Sequence, residues 1–231
     1  MTLKLFSSLF FSLFSLLVYA QNTVCTEGFG TMRCGAGYID AVTYIGNAIL
    51  SGTHIGGNLS ITGNLQATNA DVGSANLAGN VDASHLIVHQ NFNAIGIYHF
   101  DNSEFFSTSK LIGNLKGSND IFNGPTEIVG EVRVNSELFK NLSVFTGKID
   151  AEASTFEAPI TLNSCLAKFH QSKLKGIIMT AQKDCYEQKI FISEKTGVNG
   201  DVDFKSGNGK LYLSKDSFIQ GQVKGGVIIN T

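Results

Sequence analysis

Glycine recurs at Gly46, Gly63, Gly79, Gly96, Gly113, Gly130 and Gly147, at intervals of 17 residues broken once by 16. Three apolar columns keep the same period. Two positions after each glycine stand Ala48, Leu65, Val81, Tyr98, Leu115, Val132 and Ile149. Nine positions after stand Ile55, Val72, Val88, Phe105, Phe122, Phe139 and Phe156. A third column holds Ile61, Leu77, Ala94, Leu111, Ile128, Phe145 and Leu162. A repeat this short is below the length of ankyrin, tetratricopeptide or leucine-rich units, and it carries no helical period. Three inward columns separated by turn residues describe one coil of a β-solenoid with three short strands per turn.

Local alternation agrees with that reading. After the inward residue comes an outward one, Gln66, Asp82, His99, Lys116, Arg133 or Asp150, and then an inward one again, as a pleated strand requires. Stacked at about 4.8 Å, successive coils turn each column into a ladder of like residues, and Phe105, Phe122, Phe139 and Phe156 are predicted to form one internal aromatic stack. Gly-Asn at 46, 63, 79 and 113 marks one corner, and Gly52, Asn69, Asn102 and Asn119 mark a second, because both residue types tolerate positive φ. Beyond Gly147 the ruler loosens: Ser164 replaces the glycine, a loop is expected to bulge near residues 170–185, and glycine returns at Gly200 and Gly221. The expected fold is all-β, a right-handed single-stranded β-helix of about ten 17-residue coils.

The first 20 residues carry Lys4, an apolar run and Val18-Tyr19-Ala20, the pattern of a secretory signal peptide cleaved after Ala20. The run is short for a span of about 30 Å of hydrocarbon, and no basic cluster follows it, so no membrane span is expected after cleavage. Residues 21–45 then read as an N-terminal cap and 46–231 as the solenoid, regular over 46–163, looser over 164–199, with closing coils over 200–231. A net charge of -2 without any basic block leaves nucleic acid no electrostatic footprint. Four cysteines in an exported chain favour disulfides over zinc, since no CxxC is present. Cys25 with Cys34 closes a small loop over the first coil, and Cys165 with Cys185, at nearly equivalent places on adjacent coils, clasps the base of the bulge.

The motifs GNLQA, GNVDA, GEVRV, GKIDA and GDVDF resemble the repeats of the bactofilins, polymer-forming proteins built as a compact right-handed β-helix. The resemblance covers residues 46–163 and, more loosely, the chain to 231; it implies the fold and a capacity to assemble. Bactofilins are typically cytoplasmic or on the inner membrane face, whereas this chain reads as extracytoplasmic. Left-handed hexapeptide acyltransferases fit less well, because the column spacings of 7, 6 and 4 break the hexad.

No residue is singled out as catalytic, cofactor-binding or metal-ligating, and no cofactor is expected. His170, placed in the bulge, reads as a solvated loop histidine. The outward column Asp82, His99, Lys116, Arg133 and Asp150 reads as ion pairing between coils rather than as the carboxylate cluster of a polysaccharide lyase. The expected role is non-enzymatic: an exported structural or interaction protein whose rod serves as scaffold, adhesive surface or self-assembling subunit, with an envelope or host-surface protein or glycan as further partner. A glycan-binding or glycan-cleaving β-helix is the alternative. The chain closes on GQVKGGVIINT, so Val227, Ile228 and Ile229 are expected to plug the last coil or to meet a second copy, the latter being favoured.

Overall fold

The computed structural model describes residues 24–231, so the signal peptide expected over 1–20 lies outside the described residues. Those residues form one sheet, parallel apart from its first strand pair, wound into a β-solenoid, with no helix among them. About 12 coils stack, against the ten expected. One was overlooked at the N-terminal end, where Thr31–Cys34 already pairs in parallel with residues 47–50, so that stacking begins before Gly46. Insertions disguised others: Leu166 pairs with Lys189, 23 residues on, and Lys189 with Lys210, 21 residues on.

Over residues 92–156 each coil is a ten-residue strand, such as Phe92–Asp101, followed by a two-residue strand, such as Glu104–Phe105; in the coils before, the strands run on through the corner as Thr53–Thr68 and Asp71–Ser84. The long strand covers two of the three faces by bending at its glycine. Gly113 shows why no other residue serves: its φ is 134°, and a Cβ there would overlap the carbonyl oxygen of Gly96 on the preceding coil. The asparagines that follow these glycines have another role than the corner expected of them. They lie within the strand, outside the positive-φ set, and the corner at this point belongs to glycine alone. The second corner is as expected, with positive φ at Gly52, Asn69, Asn102 and Asn119, and His85, Ser136, Ala153 and Gln171 continue the column.

The three inward columns are buried along the rod up to its last coil. Phe105, Phe122, Phe139 and Phe156 stack at 4.7, 4.9 and 4.9 Å between centroids with planes within 14° of parallel. Identical rings recur because the 17-residue register places Phe122 directly between Phe105 and Phe139. Each buried ring withdraws about 150–250 Å² from water, so this ladder dominates the centre of the core.

Past Gly147 the bend changes. Thr146 pairs with Asn163 but Ile149 with Ala167, so one extra residue enters at Ser164–Cys165 and splits the long strand into Ile160–Asn163 and Leu166–His170. Gly200 and Gly221 fall outside the glycine column, which resumes at Gly209 and Gly226. Val202–Phe204 therefore occupies the face of Ile177–Met179, and GDVDF matches the earlier G-x-apolar motifs in pattern but on a different face.

Candidate functional site

Function on such a rod must come from what the outward positions line up. Beside the glycine bend on the first face, Nδ2 of Asn64 donates to Oδ1 of Asn47 at 2.8 Å, and Nδ2 of Asn80 to Oδ1 of Asn64 at 3.1 Å. With Arg33, Gln66 and Asp82 these amides line an open groove of ≈ 490 Å³. A second amide ladder runs on the third face, from Asn93 to Asn76 at 3.0 Å and on to Asn58 at 2.8 Å. In the first ladder a 16- or 17-residue step places amide above amide; in the second Asn93 stands over Asn76, whose amide reaches diagonally past its register partner Ser60 to Asn58 on the coil below.

The outward column Asp82, His99, Lys116, Arg133 and Asp150 is in register as expected, but it pairs only at its ends. His99 Nδ1 lies 3.6 Å from Asp82 Oδ1, and His170 Nε2 3.5 Å from Asp150 Oδ1. In the middle Lys116 and Arg133 are like-charged neighbours, and Arg133 turns along its own strand to Glu131 at 2.7 Å. Such exposed pairs contribute about 0–1 kcal/mol each.

His170 is not in a loop. It ends the strand Leu166–His170, and its Nδ1 lies 2.7 Å from the Ser193 hydroxyl. The bulge is confined to residues 180–188, between Ile177–Met179 and Lys189–Ser193. Both disulfides join the expected partners. Cys165–Cys185, with Cα atoms 5.4 Å apart, clasps the bulge, and Nε2 of buried Gln188 donates to the carbonyls of Ser164 at 3.0 Å and Thr180 at 2.6 Å. Lys210 and Lys189 both pair with Glu187 beside it, at 2.6 and 3.2 Å, and Lys210 in particular holds that carboxyl below its ordinary range.

Two constellations escaped the sequence reading. On the second face Asp71 stands between two imidazoles, with its carboxylate 3.4 Å from His54 Nδ1 and 2.7 Å from His89 Nε2. The near-17 spacing of 54, 71 and 89 was the available signal. Among the described residues no group of three or more His, Cys, Asp or Glu is arranged to hold a metal ion.

The other constellation is internal. Where the chain leaves the second corner, an inward polar residue caps the backbone of the coil before it: Ser103 Oγ accepts from Leu86 N at 3.2 Å, Ser154 Oγ from Glu137 N at 3.2 Å, and Ser172 Oγ from Ser154 N at 3.1 Å. Two members of this ladder are carboxylic acids on adjacent coils, Asp120 and Glu137, only 0 % and 1 % exposed. Asp120 Oδ1 accepts from Ser103 N at 2.7 Å, while Asp120 Oδ2 and both carboxyl oxygens of Glu137 have no donor. Burial raises both groups well above the ordinary carboxylate range, and the Asp120 charge raises Glu137 further.

The ends of the rod differ. At the first coil, Cys25–Gly28 folds back antiparallel on Thr31–Cys34, turning through Phe29 and Gly30, both at positive φ, and Cys25 bridges to Cys34 directly opposite. At the last coil, Gly226–Asn230 pairs with Gly209–Leu213 on one side. Ile228 continues the inward column of Leu211, yet Ile228 is 48 % exposed where Leu211 is 0 %, and Val227 is 57 % exposed. Ile229, in the outward position, is half-buried.

Comparison of the chain with protein-family models, with curated proteins and with solved structures returns no match.

Proposed function

We propose that this chain is an exported structural or interaction protein, a disulfide-braced rod serving as scaffold, adhesive surface or self-assembling subunit of a cell envelope. The observation that carries the reading is the last rung: an apolar inward column and a strand edge stand open together at Ile228. A second copy offers both things that edge lacks, backbone partners and apolar cover. The bactofilin-like repeat pattern, in proteins that assemble through β-helices, supports the same reading. The two disulfides support an oxidising, extracytoplasmic setting.

Sedimentation analysis of the disulfide-bonded chain tests the self-association. Wild type is expected to populate assemblies, and Ile228→Lys to shift the distribution toward monomer with an unchanged β-sheet circular dichroism spectrum. A wild type that stays monomeric at high concentration refutes association through this end.

A second reading rests on the amide-lined groove beside Asn47, Asn64 and Gln66, whose repeated donors and acceptors suit a glycan chain lying along the rod. Binding to a glycan array that is lost in Asn64→Leu, with assembly intact, would favour it over the scaffold.

A further inference from the structure

The inner ladder needs only one oxygen per coil, and in most coils a hydroxyl provides it: Ser103, Ser154, Ser172, Thr196 and Ser217 each accept the backbone N–H of the coil before. Asp120 and Glu137 bring two oxygens each to the same positions. The surplus is accommodated, since Gly117 stands where neighbouring coils carry Phe100 and Val134 in the same inward column. A Cβ on Gly117 would come within 2.6 Å of Glu137 Oε1 and 2.9 Å of Asp120 Oδ2, so both carboxyls reach into the one space its missing side chain leaves.

Among the described residues no cationic side chain is felt in that space. On the strands around it, Glu104, Lys110, Lys116, Glu127, Glu131 and Arg133 occupy outward or partly exposed positions, and the further charge felt by both acids is Asp101, also negative. Two carboxylates in contact, dry and without a counter-ion, are not a stable state. A proton between them supplies a donor to the oxygens that lack one.

We propose that Asp120 and Glu137 form a proton-sharing acid pair, a pH-sensitive joint in the middle of the rod that is tight in acid and loosens as the shared proton is lost. The sign follows from linkage. Below about pH 4 both acids are protonated folded or unfolded, and the pair is at its most favourable. As pH rises, the unfolded chain releases its protons in the ordinary carboxylate range while the folded pair keeps at least one. Stability is therefore lost progressively from about pH 4 up to the raised pKa values of the folded state, with the folding equilibrium constant falling about tenfold per pH unit for each proton retained. The surface carboxylates Glu187, half-buried, and Asp201 and Asp216, exposed, held low chiefly by Lys210, Lys224 and the Ser214 hydroxyl, act with the opposite sign and in more acid solution.

Two measurements on the full disulfide-bonded chain decide it. In wild type, carbon-13 NMR of the Asp120 and Glu137 carboxyls is expected to show at least one of them still protonated at about pH 6, where free carboxylates are ionised. In thermal unfolding from about pH 5 to about pH 9, the wild-type midpoint is expected to fall, while Asp120→Asn with Glu137→Gln, which keeps shape and cannot ionise, flattens the profile and exceeds wild type at the alkaline end. Titration of both carboxyls in the ordinary range overturns the proposal, as do parallel profiles for wild type and variant. Should the double variant fail to fold, the wild-type titration alone decides.

Discussion

The coils before Ser164 and those after it are built on one cross-section by different means. In the earlier half every bend is a glycine stacked on a glycine, the strand passes through unbroken, and the 17-residue register repeats almost without error. In the later half the glycine gives way to Ser164–Cys165 and then Gln188, the strand breaks at the bend, and six or more residues intrude before Lys189. Side-chain devices then hold what backbone stacking held before: the Cys165–Cys185 bridge and the Gln188 amide gather the loop so that Lys189 can resume its place over Leu166. Regular stacking and tolerance of insertion are thus alternatives at one corner. The inward columns are common to both halves because burial is what neither can do without.

The largest effect should come from breaking the aromatic ladder. Phe122→Ala removes a ring flanked on both sides in the stack and is expected to cost about 3–5 kcal/mol in urea unfolding. Because each coil touches only its neighbours, hydrogen exchange should show protection falling first around Phe105, Phe122 and Phe139, while Ile190 and Leu211 retain theirs. Uniform loss along the rod would mean that the two halves unfold as one unit.

A smaller effect separates the two kinds of corner. Gly113→Ala forces a side chain onto a φ of 134° against the Gly96 carbonyl, and about 1–3 kcal/mol should be lost even after relaxation. Gly207→Ala, in the inserted loop between Phe204 and Gly209, meets open space at a φ of 77° and should cost only about 1 kcal/mol. Equal costs, read from denaturant midpoints, would remove the distinction between stacked and inserted corners.

The smallest global effect is expected from the second disulfide. Replacing Cys165 and Cys185 together by serine should leave the melting midpoint nearly unchanged and open residues 180–188 to protease, with cleavage near Tyr186, which is fully exposed. A bridge between residues 20 apart restrains about 3 kcal/mol of unfolded-chain entropy at most. A loss of stability approaching that value would mean that the bridge holds the core as well as the loop.

These contrasts also mark what could be read in advance. The aromatic stack was legible because Phe105, Phe122, Phe139 and Phe156 repeat at the coil period, and both cysteine pairs because an even cysteine count and their places on the coils point to them. His170 was misplaced, and Gly200 misaligned, for one reason: each inserted residue shifts every later assignment, and a period inferred upstream carries no information about where the chain inserts. The asparagines after the glycines were credited to the corner because Gly-Asn is also a turn signature, whereas their amides stack from coil to coil.

Periodicity by itself determined the β-solenoid class, the three inward columns and the identity of the stacked rings, since a residue's place along the coil fixes whether it faces the core. Only the tertiary structure decided what stands above and below. The inner acids illustrate it: Asp120, Glu137 and Gly117 are unremarkable as letters, and become one buried site because adjacent coils superimpose the first two and the third leaves them room. Contacts between coils depend on register summed over bends and insertions, a quantity fixed by backbone stacking in three dimensions and absent from any single stretch of sequence.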